Sequence, residues 1–151
     1  MEQKKEPGLN QPLENQQSNS TEAQPTKPQK PPKIEEKPFD EFINEHLLPS
    51  IENELKKKSC PANSLVFRKG ERPVTGGECW LIYGEFPTGR KFYLTFSSNS
   101  IKSVKNISLA ESSSEPSCLE SFLIDEKKIT LQLITSRLMQ RLNGQKWFGN
   151  N

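Results

Sequence analysis

The stretch "ECWLIYGEFPTGRKFYLTFS", residues 78–97, constrains the fold more than any other part of the chain. Two runs of β-branched and aromatic residues flank "PTG", a three-residue connection with glycine last, which is a recognised hairpin loop. Facing Phe86 with Arg90 sets the register. Trp80 then opposes Phe96, Ile82 opposes Leu94, and Gly84 opposes Phe92. That face is apolar and predicts a helix packed on it, with Gly84 leaving room for the Phe92 ring. The other face pairs Tyr83 with Tyr93, Leu81 with Thr95 and Glu85 with Lys91. Cross-strand pairs of this kind each contribute roughly 0.2–1 kcal/mol. The second face is mixed, which suits either partial hydration or a partner.

Flanking segments extend the hairpin. "SLVFRK" (64–69) and "VKNISLA" (104–110) alternate and predict one strand before it and one after, with "GERPVTGG" and "SSNSIK" as loops. Upstream, "PFDEFINEHLLPSIENELKKK" (38–58) places Phe39, Phe42, Ile43, Leu47, Ile51 and Leu55 on one helical stripe. Pro38 suits its first position, and Pro49 predicts a kink or break near Leu48. Downstream, Ser117 and Glu120 have capping-box spacing, and Asp125 suits the cap of a longer helix over about 126–143. Leu131, Ile134, Leu138 and Leu142 share one face of that helix, while Ile129 and Leu133 widen its apolar arc. The predicted architecture is α+β: an N-terminal helix, a four-stranded antiparallel meander and a C-terminal helix, with both helices on one sheet face.

This single domain is placed at residues 38–151, which hold every Phe, Tyr and Trp of the chain. Residues 1–37 are read as a disordered, Pro-rich polar tail, because six Pro, six Gln, six Lys and six Glu leave too little apolar surface to offset chain entropy. The net charge of +2 does not call for nucleic acid or an anionic membrane. No membrane span, secretory signal or transit peptide is expected. Cys60, Cys79 and Cys118 are odd in number and widely spaced, and His46 is the single histidine. A disulfide framework or zinc site is therefore not expected, and a reducing compartment fits.

No catalytic, cofactor-binding or metal-binding constellation stands out, so the chain is read as a non-enzyme without cofactors. His46 reads as a helix residue beside the apolar stripe. Cys118 would gain reactivity only from a helix N-terminus. Glu120, Asp125 and Glu126 read as charges favoured at a helix start, and "ERPVTGGE" lacks the Lys-Ser/Thr of a phosphate loop. Nucleic acid is not expected as a partner, for no RNP-like motif accompanies the tyrosines. What remains is surface for a protein. Tyr83 and Tyr93 with Arg90 and Lys91 are one candidate patch, and Arg141, Lys146 and Trp147 are another, since Trp, Tyr and Arg most often anchor interfaces. In "RLNGQKWF" (141–148) Asn143 is expected to end the helix and Gly144 to take the left-handed position after it. Trp147 then has two readings, core cover or docking anchor.

Four segments together resemble a small cyanobacterial and chloroplast family carried as a domain of unknown function. They are "KPFDEFINEHLLPSIENEL", "ECWLIYGEFPTGRKFYLTF", "LESFLIDEKKITLQL" and "QRLNGQKWFGNN". The likeness covers roughly residues 37–151, with no matching motif in 60–77 or 98–117. The resemblance implies kinship with subunit V of the photosynthetic type I NAD(P)H dehydrogenase-like complex. It further implies a non-catalytic accessory subunit on the peripheral arm, bound to other protein subunits on the cytoplasmic or stromal face of the thylakoid. There the complex takes electrons from reduced ferredoxin for cyclic electron flow. A soluble assembly factor or chaperone for another thylakoid complex is the alternative expectation.

Overall fold

The computed structural model describes residues 33–149. The tail expected over 1–32 lies outside the described residues. A 3₁₀ turn, Ile34–Glu36, leads into helix α1 (residues 39–57). Five strands follow: β1 (Ser64–Glu71), β2 (Glu78–Glu85), β3 (Lys91–Phe96), β4 (Lys105–Ala110) and β5 (Glu120–Ser121). Helix α2 (Leu131–Gly144) closes the domain. The sheet is an antiparallel meander in sequence order.

The hairpin register is the expected one. Trp80 faces Phe96, Ile82 faces Leu94 and Gly84 faces Phe92, while Tyr83 faces Tyr93 on the reverse side. Across the turn, Phe86 N–H donates to Arg90 O at 2.9 Å and Gly89 takes a φ of 94°, the left-handed geometry the loop requires. Both helices bury their stripes against the Ile82–Phe92–Leu94–Phe96 face: Phe42, Ile43, Leu47, Ile51 and Leu55 from α1, and Ile134, Leu138 and Leu142 from α2. Phe39 stands edge-on to Phe67, Trp80 and Phe96, with centroids 5.6, 6.0 and 5.3 Å away. Such edge-to-face packing adds about 0.5–1.5 kcal/mol beyond area burial.

Three expectations are corrected. Of the kink or break expected near Leu48, the break does not occur. The turn before Pro49, Ile43–Leu47, widens into a π-helix in which Leu48 N–H donates to Ile43 O. Proline removes a donor and crowds the preceding turn, and the wider turn gives the slack to carry the helix through. The sheet has five strands rather than four, because Glu120–Ser121 pairs with Asn106 and Ile107. No helix therefore starts near Ser117 or Asp125. Instead α2 begins at Leu131, where the Thr130 hydroxyl accepts from Leu133 N–H at 3.1 Å and the Glu35 carboxylate accepts from Leu131 N–H at 2.9 Å. Phe122, Leu123 and Ile129 are buried along this connection. Burial of three large side chains outweighs a local cap, which contributes about 1 kcal/mol.

A Cβ at position 84 would overlap the Phe92 ring. Gly84→Ala is expected to destabilise the domain by about 1–3 kcal/mol through overpacking. Urea denaturation would show a lower midpoint at unchanged slope, whereas an unshifted midpoint would show that the ring moves aside freely.

Candidate functional site

The two readings of Trp147 separate once the end of α2 is seen. The helix runs through Gly144, Gln145 is its cap, and Lys146 takes the left-handed position with φ 64°. The expected Gly144 turn is thus corrected: Gly144 is helical, and the left-handed residue lies two places later. Trp147 N–H donates to Leu142 O at 3.2 Å and Lys146 N–H to Asn143 O at 2.8 Å. These are the paired bonds of a Schellman cap, in which the residue after the left-handed one packs back on the last helical turn. Trp147 is accordingly buried, edge-on to Phe86 with centroids 5.8 Å apart. Its indole N–H donates to Glu111 at 2.9 Å, and the other Glu111 oxygen pairs with Arg90 Nε at 3.0 Å. The Arg90 guanidinium lies 5.6 Å above the indole ring. Arg90 and Trp147 therefore meet in one clasp whose chief role is to close the core. The Trp147 bond, and after it the Arg90 charge, hold the Glu111 carboxyl below its ordinary range.

Tyr83, Tyr93 and Lys91 lie on the second sheet face. Tyr83 and Tyr93 rings are 5.1 Å apart, both half-buried, and the Tyr83 hydroxyl donates to Glu85 at 2.8 Å. Burial first, then the Glu85 carboxylate, pushes Tyr83 up to about 12. Burial also raises Tyr93. Both phenols are therefore neutral donors at physiological pH. Val66, 40% exposed, sits opposite Tyr83. The β4–β5 connection crosses this face: Ser108 Oγ donates to Cys118 O at 2.9 Å, and Lys91 pairs with Glu115 at 3.8 Å. Together with the β1–β2 loop it walls a cavity of about 420 Å³, lined by Arg68, Arg72, Val74, Tyr93, Glu115 and Pro116 among others.

A model of the family described as a protein of unknown function, DUF2996, matches residues 33–149. The chain belongs to the DUF2996 family. Among curated proteins none matches it.

In this DUF2996 domain the other candidate residues scatter rather than converge. Arg141 forms a two-pronged pair with Glu120, at 2.8 and 2.7 Å, tying α2 to β5. Its hydrogen bonds hold Glu120 below the ordinary carboxylate range. Lys146 is exposed at the helix cap. His46 Nε2 lies 3.0 Å from Lys37 Nζ. Cys118 is exposed beside β5, not at a helix N-terminus, so the ground for special reactivity falls away. Cys79 is buried, and burial raises its thiol pKa. Among the described residues no helix is long and apolar enough to cross a membrane, and no cluster of His, Cys, Asp and Glu is arranged to hold a metal. Sequence reasoning passed over Arg68, Arg72, Val74, Glu111 and Glu115. Glu111 and Glu115 acquire their partners from distant segments, and only the fold brings Arg68, Arg72 and Val74 to one cavity with Tyr93 and Glu115.

Two outcomes follow from the clasp and the Arg141 pair. Trp147→Ala is expected to destabilise the domain by about 3–5 kcal/mol, as for other buried Trp truncations, read by chemical denaturation. Near-native stability would return Trp147 to the surface. Glu111 and Glu120 have folded pKa values below their ordinary 4.5. Their stabilisation is thus fully present above that value and is lost as pH falls through the folded pKa values. The melting temperature should drop as pH falls below their ordinary 4.5, and less steeply in Glu120→Gln. An equally steep drop in that variant would show that Glu120 carries none of the linkage.

Proposed function

We propose that this DUF2996 domain is a non-catalytic accessory subunit that docks, through its second sheet face, on the peripheral arm of a photosynthetic NAD(P)H dehydrogenase-like complex. There it supports ferredoxin-dependent cyclic electron flow at the cytoplasmic or stromal surface of the thylakoid. The observation that carries the docking part is the composition of that face. The tyrosine pair, exposed Val66 and the Arg68–Arg72 cavity lie together, outside the helix-covered core. Aromatic and arginine side chains around a partly desolvated centre are what interface anchors are made of. The choice of complex rests on the resemblance of the helix, hairpin and C-terminal segments. Those segments build the α1–hairpin–α2 framework in this fold.

The tagged protein should co-purify with hydrophilic-arm subunits, and deletion of its gene should weaken cyclic electron flow. Val66→Glu should stay folded yet leave the complex. A protein that runs only as a free monomer on native gels, with normal cyclic flow in the deletion strain, would sink the proposal. Presence in precursor fractions but absence from the finished complex, in a mass-spectrometric subunit inventory, would replace it with an assembly factor.

A further inference from the structure

The five arginines of the described residues divide into two sets. Arg90, Arg137 and Arg141 each hold a carboxylate, those of Glu111, Glu126 and Glu120. Arg68 and Arg72 form no ion pair among the described residues, and both line the second-face cavity. Arg72 Nε is buried without a hydrogen-bond partner, and its Nη1 has only a long 3.5 Å bond to Gly76 O. A buried, unsatisfied guanidinium nitrogen is costly, so the free domain bears an unmet demand for an acceptor at this point. Arg68 folds back over Gly70, where a Cβ would collide with its Nη1.

The cavity rim is strained as well. Val74 has φ 71°, and Thr75 N–H donates to Pro73 O at 2.8 Å across it, the bond of a γ-turn. A β-branched residue there is an outlier, and such strain collects at ligand clamps. Val74 is nonetheless half-exposed at 52%, so burial of its side chain does not explain the strain. The Tyr93 phenol, its pKa raised by burial, adds a neutral donor to the same wall.

We propose that this cavity is a carboxylate-binding pocket, in which Arg68 and Arg72 grip an acidic side chain presented by a segment of a partner protein. A carboxylate held by two guanidinium nitrogens together takes the two-pronged geometry that makes arginine selective for planar anions. Val74, Pro73 and Pro116 add apolar contacts beside these charges. Its volume, about 420 Å³, suits one or two side chains. Glu71 and Glu115 also line it and would repel a continuous run of phosphates. These features favour an isolated acid on a peptide over a nucleic-acid backbone. The pocket rests on reading the chain as an interaction module, and is independent of which assembly it joins.

The test is fluorescence anisotropy with the full chain and a fluorescein-labelled, end-blocked peptide Gly-Ala-Glu-Ala-Gly, which presents one isolated acid, at low salt. Binding should weaken about tenfold in Arg68→Gln and in Arg72→Gln, vanish in the double variant, and be unchanged in Arg137→Gln. Arg68→Lys, which keeps the charge but loses the fork, should bind less well than the parent. Thermal melts accompany each variant. If Arg72→Gln fails to fold, Arg68→Gln and Arg72→Lys decide. No peptide binding, or equal binding by parent and double variant, overturns the pocket. So does tighter, arginine-dependent binding of a uridine decanucleotide, which would make this a phosphate site. Peptide binding that needs both arginines, in a protein that stays free in extracts, would keep the pocket and discard the proposed assembly. Co-purification that survives the double variant, with no peptide binding by the parent, would do the reverse.

Discussion

Phe92 lies in the space left by Gly84, and the position of both helices depends on that contact. The ring is fully buried and is flanked by Leu94 and Phe86, so the hairpin presents a continuous apolar face. Both amphipathic helices bury their stripes in the cluster built on this face. A slip of one residue in the β2–β3 register would turn one of the two strands over, exchanging Ile82 for Tyr83 or Leu94 for Tyr93 on the core face, so hydrophobic burial enforces the register. Phe39 then wedges against Phe67, Trp80 and Phe96 at one end of this face, and Trp147 closes on Phe86 at the other.

Carboxylates join parts of the chain that are far apart in sequence. Glu35 satisfies the first amide of α2, Glu111 holds both Arg90 and the indole of Trp147, and Glu120 grips Arg141. Each satisfies a donor that would otherwise lie half-buried at a helix end or a turn, where an unpaired group is expensive. The buried Lys105 obeys the same rule without a carboxylate: its ammonium donates to Ile101 O at 2.7 Å and Ser103 O at 2.8 Å, and burial lowers its pKa. The framework thereby uses up most of the side chains that looked chemically promising one at a time.

The two sheet faces divide structure from recognition. One is consumed by the helices. The other is shaped by the β1–β2 loop and the β4–β5 connection, which contribute Arg72, Val74, Glu115 and Pro116 around Tyr93. Those loops fall largely within 60–77 and 98–117, where the sequence reading found no motif, and the family match nonetheless spans them.

The hairpin, its register, the faces of both helices and the α+β class were legible from residues 38–151, because they depend on spacing and turn chemistry within a few residues. Where local signals misled, a distant partner had the larger energy. Ser117 and Glu120 have the spacing of a helix start, yet Glu120 joins β4 and Arg141 instead. Gly144 looked like the left-handed residue, yet the Schellman bonds place Lys146 there so that Trp147 reaches Phe86. The sequence by itself determined which faces of the hairpin and of the two helices are apolar and that a helix, a meander and a helix follow one another, since alternation and helical periodicity are properties of the chain. Only the tertiary structure decided that Trp147 belongs to the core and that Arg68 and Arg72 share one cavity, because both facts arise where segments remote in sequence meet in space.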